Sequence, residues 1–159
     1  MKEKLAELIQ ELHSALERLS KDPDYDHVIP KAGTPASPEE IKALEAQFGR
    51  SLPDSYRAFL ELHNGYDFLA YPGPMLSVQQ LQAGSEWDQR IQNWKKDTAR
   101  YDQPELLDAL VVGNLGSSNQ WVYLDPNRPS KKNELTVVDF DPEQSDDYPS
   151  LLELSLIHI

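Results

Sequence analysis

The stretch IKALEAQFGRSLPDSYRAFLELHNG, Ile41 to Gly65, decides how the fold is read. Ile41, Leu44 and Phe48 recur at helical spacing, and Ser37-Pro38-Glu39-Glu40 ahead of them is a capping box with proline at the first helical position. Gly49 stands where a helix stops on a left-handed residue. The chain then restarts at Leu52-Pro53. Ser51 is placed to cap a second helix, with Asp54 three residues on, and Leu52, Tyr56, Phe59, Leu60 and His63 line one face. Asn64-Gly65 closes that helix with the pair a turn at positive φ favours.

Upstream, residues 3–20 form an amphipathic helix, with Leu5, Leu8, Ile9, Leu12, Ala15, Leu16 and Leu19 at helical spacing. Its other face carries Glu3, Glu7, Glu11 and Arg18, which is not the basic face of a membrane-surface helix. Residues 21–37, punctuated by Pro23, Pro30, Gly33 and Pro35, read as a connecting loop. Downstream of Gly65 the period changes. Tyr66 to Tyr71 and Met75 to Val78 read as short strands split by Pro72-Gly73-Pro74. Residues 85–101 return to helix, with Trp87, Ile91, Trp94, Thr98 and Tyr101 on one side. Leu110 to Val112, Gln120 to Leu124 and Leu135 to Phe140 are further strands, the middle one apolar on both faces.

The bulk properties exclude several classes. The chain has 159 residues, 39% of them hydrophobic and 26% charged, as in ordinary globular proteins. Apolar runs such as Ala109 to Val112 fall far short of the roughly 20 residues a membrane helix needs. Lys2, Glu3, Lys4, Glu7 and Glu11 leave no room for the apolar core of a signal peptide. The absence of cysteine rules out disulfides, thiolate nucleophiles and cysteine-ligated zinc, and it suits a reducing compartment such as the cytoplasm. The net charge of −12 disfavours nucleic acid and anionic membranes as partners and favours a basic protein.

Catalytic patterns are weak. His13, His27, His63 and His158 are scattered, and His63 suits the last carbonyls of its helix. Gly113-Asn114-Leu115-Gly116-Ser117-Ser118 lacks the lysine of a phosphate loop and precedes a strand, so it reads as a turn. Asp139, Asp141 and Glu143 alternate and on a strand would share a face, but they complete neither a calcium loop nor an uninterrupted catalytic strand, because Pro142 intervenes. No catalytic residue, metal or cofactor is assigned. Charge asymmetry stands out instead. From Glu134 to Glu153 there are seven acids and no lysine or arginine, and Asp139, Asp141, Glu143, Asp146 and Asp147 are the candidate contacts for a basic partner.

The segment 41–65 resembles the signature of the SUKH superfamily, which includes fungal regulators of cell-wall assembly and many bacterial immunity proteins. A second resemblance runs from Leu110-Val-Val-Gly113 through Gln120-Trp121-Val-Tyr-Leu-Asp125, a strand, a glycine turn and a strand ending in aspartate. Ser117, Ser118 and Asn119 depart from the family's acidic turn, and Tyr148 to Glu153 supplies only the start of its closing helix. The resemblance implies an α+β fold with helices packed on one side of a mostly antiparallel sheet. Leu52, Pro53, Tyr56, Phe59, Asn64, Gly65, Gly113, Trp121 and Asp125 transfer as structural positions. It also implies a non-catalytic protein-binding role, most specifically immunity against a basic toxin, often a nuclease, of a bacterial polymorphic or contact-dependent system. An intracellular regulatory or scaffolding domain and a carboxylate-dependent hydrolase are the rival classes.

Residues 1–153 are read as one such domain. The tail Leu154-Ser155-Leu156-Ile157-His158-Ile159 can be decoded from CTG-TCT-CTT-ATA-CAC-ATC, a transposon end used in sequencing-library preparation. We therefore expect it to be translated adapter in place of the natural C-terminus.

Overall fold

The computed structural model describes residues 2–25, 30–70, 73–99, 104–116, 119–151 and 153–154. His27, Tyr71, Tyr101, Ser117, Ser118 and His158, singled out above, lie outside them, as do residues 155–159 of the tail. Leu154 itself is buried in the core.

Helix α1 (Lys2–Leu19) buries Leu5, Leu8, Ile9, Leu12 and Leu16, the expected stripe. Helix α2 (Pro38–Phe48) begins with a complete capping box. The Ser37 hydroxyl accepts from the Glu40 N–H at 3.2 Å, and the Glu40 carboxylate accepts from the Ser37 N–H at 2.7 Å. Gly49 ends it at φ 69°, its N–H donating to the carbonyl of Ala46.

Helix α3 (Asp54–Leu62) starts differently from expectation. Ser51 does not cap it: Pro53 holds the cap position, with no side-chain bond. Two of its first N–H groups are taken by a turn 79 residues away in sequence. The Asp54 N–H donates to the Asn133 carbonyl at 3.0 Å, and the Ser55 N–H donates to the Glu134 carboxylate at 2.9 Å. The Ser55 hydroxyl donates to the second Glu134 oxygen at 2.7 Å. With those two donors engaged, and Ser51 two residues upstream of the cap position, its hydroxyl makes no cap bond.

Among the described residues seven strands follow one another in a wholly antiparallel sheet, in sequence order. They are β1 (Lys31–Ala32), β2 (Tyr66–Ala70), β3 (Gly73–Met75), β4 (Leu110–Asn114), β5 (Trp121–Pro129), β6 (Leu135–Phe140) and β7 (Asp146–Tyr148). Two of these fall in stretches read as loop or helix start, β1 within 21–37 and β7 at the acidic end. Val78 is not strand. Ser77 forms a second capping box with Gln80 and opens helix α4 (Val78–Leu81). Strand β5 continues past Leu124 because β6 pairs with it as far as Pro129↔Leu135.

Helices cover both faces of this sheet, not one. Trp121, Tyr123, Val138 and Phe140 share a face through the register Trp121↔Phe140 and Tyr123↔Val138. On it lies Trp94 of α5 (Glu86–Ala99), with ring centroids 5.6 Å from Trp121 and 5.4 Å from Phe140. The opposite face carries Tyr66, Met75 and Val122, linked through Tyr66↔Met75↔Gly113↔Val122, and there His13 of α1 bonds the Tyr66 hydroxyl. Accordingly β4 is buried throughout, as are Trp121 to Asp125. Among the described residues no helix is long and apolar enough to cross a membrane.

Candidate protein-docking site

The motif residues are consumed by the fold. Leu52 is buried and its N–H donates to the Glu45 carboxylate at 2.8 Å. Tyr56 and Phe59 are fully buried and stacked on each other. The Tyr56 hydroxyl has no hydrogen-bond partner among the described residues, and burial drives its pKa upward. Asn64 receives the Val78 N–H at 2.7 Å and so caps α4, while Gly65 takes φ 87°. Gly113 lets Met75 and Val122 close over it, and Trp121 packs between Trp87 and Trp94. Asp125 is buried, accepting the Asn127 N–H at 2.9 Å and the Arg128 Nε–H at 2.6 Å.

His13 and His63 are engaged within the fold. His63 sits at the C-terminus of α3, but its ring nitrogen lies 3.4 Å from the Gly33 carbonyl and not on the helix's own last carbonyls. Its ring meets the edge of Tyr66, and burial lowers its pKa.

The β6–β7 end of the sheet carries the acids that the sequence singles out. Asp139 and Asp146 are opposed across the two strands and share a face with Tyr148. Burial raises the Tyr148 pKa, and the neighbouring Asp146 and Asp139 charges add to it. Asp147 points to the other face. There Arg128 grips it with two bonds of 2.6 and 3.2 Å, while its Nε holds Asp125. The Asp147 and Asp125 carboxylates therefore raise the Arg128 pKa. Because β6 ends at Phe140, Asp141 does not continue a row with Asp139. It opens the β6–β7 turn, accepting from the Glu143 N–H at 2.8 Å and from the Gln120 amide, and these bonds lower its pKa. Glu143 and Asp146 are exposed and have no ion-pair partner among the described residues.

Glu134, counted among the seven acids, is buried under α3 and forms part of the helix start, not of the surface. The run without lysine or arginine is also not without positive charge in space. Strand β5 lends it Arg128, and the β5–β6 turn lends Lys131, which pairs with Glu153. Sequence adjacency hides both. Only the pairing of β5 with β6 discloses them.

Acid–base chemistry on paired carboxylates needs one acid held protonated beside one held ionised. Asp141 is biased towards the ionised form. Glu134 has a raised pKa, burial pushing it up against the lowering of its Ser55 bonds. It lies at the opposite end of β6, about 20 Å away by strand rise. Among the described residues no group of three or more histidine, aspartate or glutamate side chains is placed to hold a metal ion. The arrangement suits docking of a positively charged surface, with Arg128 fixing the strand that presents it. A search of the curated proteins gives no match. Residues 35–155, from the loop before α2 to just past the last described residue, match the SMI1 / KNR4 family (SUKH-1), and the chain belongs to that family.

Proposed function

We propose that this chain is a non-catalytic cytoplasmic binding protein whose β6–β7 end docks a basic toxin domain of a bacterial polymorphic or contact-dependent system and so confers immunity to it. Asp139, Asp141, Glu143, Asp146 and Asp147 form the docking surface. The observation that carries this reading is the exposed acid at Glu143 in the β6–β7 turn and at Asp146 on the fixed strand beside it, neither with an ion-pair partner among the described residues, in a chain with net charge −12. Such a surface steers a positively charged partner and accelerates encounter. Family membership supports a protein partner over a small-molecule substrate.

The test is association kinetics between the full chain and the toxin domain encoded beside its gene, over a salt series. Exposed charges are screened beyond about 8 Å at physiological ionic strength, so the on-rate is expected to fall by about tenfold or more as salt rises, with the off-rate changing less. Asp146→Lys with Asp147→Lys should slow association in the same manner. An on-rate indifferent both to salt and to this double reversal removes the surface from the binding reading.

A further inference from the structure

Among the described residues strand β7 is the last of the sheet and pairs with β6 alone, in the register Val137↔Tyr148, Val138↔Asp147 and Asp139↔Asp146. In an antiparallel ladder, opposed residues alternate between pairs that exchange both backbone bonds and pairs that exchange none. Pro149 fixes which are which. Were Tyr148 in a non-bonded pair, the next ladder bond would come from the N–H of residue 149, and proline has none. Tyr148 and Asp146 therefore bond to β6, and Asp147 turns its N–H and C=O outward. The same phase carried across β6 points the nitrogen of Pro126 away from that strand, where its missing N–H breaks no β5–β6 bond.

The outer edge of β7 thus offers a backbone donor and acceptor at Asp147, flanked by exposed Ser145 and Asp146. Among the described residues no strand lies beyond it. The edge is also held in place. Arg128 ties the Asp147 carboxylate to β5, and the Ser130 hydroxyl bonds the Pro149 carbonyl just past the strand. A preordered edge spares an incoming strand the cost of ordering it. A second copy of this chain is the wrong occupant, because antiparallel pairing would set Asp146 and Asp147 against their own like charges. Lysine or arginine opposite them reverses that sign.

We propose that the outer edge of β7 takes up an extended, lysine- or arginine-bearing segment of the partner protein as an added strand. Asp147 supplies the backbone donor and acceptor, and Asp146 and Glu143 supply the charge complement. This inference rests on the binding reading above and gives it a mode, in which main-chain bonds set the register and charges set the preference.

The probe is a synthetic peptide of alternating lysine and threonine, titrated at low salt into the isotope-labelled full chain and followed by NMR. Amide shifts are expected to concentrate at residues 145–148, with intermolecular contacts between Asp147 and the peptide backbone and slowed exchange of the Asp147 amide. Asp147→Pro deletes the outward N–H and spares those of Asp146 and Tyr148, whereas Asp147→Ala deletes only the carboxylate. With both variants folded, the proline variant should bind the peptide about tenfold more weakly than the alanine variant, the worth of one lost hydrogen bond. Equal affinity overturns the inference. So do wild-type shifts scattered over the acidic side chains without contacts at Asp147, a measurement that depends on no variant. If the toxin binds with salt-sensitive kinetics while this edge stays silent, the added strand is wrong and the binding reading stands. If the peptide adds to the edge but no toxin binds, the reverse holds.

Discussion

Helices α2 and α3 are neighbours in sequence, yet their N-termini are built in different ways. The start of α2 is made by residues within one turn of it, Ser37 and Glu40 bonding reciprocally. The start of α3 is made by Asn133 and Glu134, supplied by the turn between β5 and β6. A local cap forms wherever its short sequence occurs. A distant one exists only after the sheet has paired, so α3 is welded to β6 while α2 is finished by its own residues. That weld extends to the C-terminal segment, where the Leu151 N–H donates to the Ser55 hydroxyl at 3.3 Å.

The largest effect is expected at the end of α3, which is local in chemistry and tertiary in consequence. Gly65 holds φ 87°, and a Cβ added there would lie 3.0 Å from both the backbone nitrogen and the Cβ of Ser77. Gly65→Val combines a branched side chain at positive φ with overpacking against the α4 cap, at a cost of about 4 kcal/mol. Urea unfolding checks this. A variant that melts with wild type would mean the exit does not need its glycine.

Glu134→Ala comes next, at about 3 kcal/mol, because it strands the buried N–H and hydroxyl of Ser55. Glu134→Gln, which can still accept the N–H, should cost about 1 kcal/mol or less. Their pH dependence sharpens the comparison. Burial raises the Glu134 pKa, so the folded state binds that proton more tightly than the unfolded chain. Stability from this group is therefore gained as pH falls through the folded pKa, and the gain is complete below the unfolded value of about 4.3. Wild type should gain on Glu134→Gln as pH falls from neutral. A gap that is constant, or that widens the other way, would contradict the buried assignment.

The same contrast separates what is legible in the amino-acid sequence from what is not. The stripes of α1 and α2, the Gly49 stop of α2, the Asn64-Gly65 exit and the strand Leu135–Phe140 rest on periodicity and turn chemistry, which act over a few residues. Strand β1 has only two residues, and β7 has three polar-leaning ones, so neither carries a period to detect. Each is strand because a neighbour pairs with it. Likewise the acids around 139–147 are legible as a charge run. That Asp147 is clamped by Arg128, that Asp141 closes its own turn and that Glu134 is buried all depend on which strand lies beside which.

The smallest effect is the sharpest test of the contrast, because sequence and structure disagree about it. By sequence, Ser37 and Ser51 are equivalent caps, each a serine just ahead of a helical stripe. Of these two serines the structure gives a helix N–H to the Ser37 hydroxyl alone, while Ser51 is exposed and outside the cap position. Ser37→Ala should cost about 1 kcal/mol, and Ser51→Ala should stay within about 0.5 kcal/mol of wild type. Amide exchange separates the two further. Ser37→Ala should speed exchange at Glu40, whose partner is lost, whereas Ser51→Ala should leave Ser55 protected by Glu134. A loss of about 1 kcal/mol in Ser51→Ala, with faster exchange at Ser55, would mean that α3 is capped from its own sequence after all. The buried Glu134 would then be left without the helix-closing role that sets α3 apart from α2.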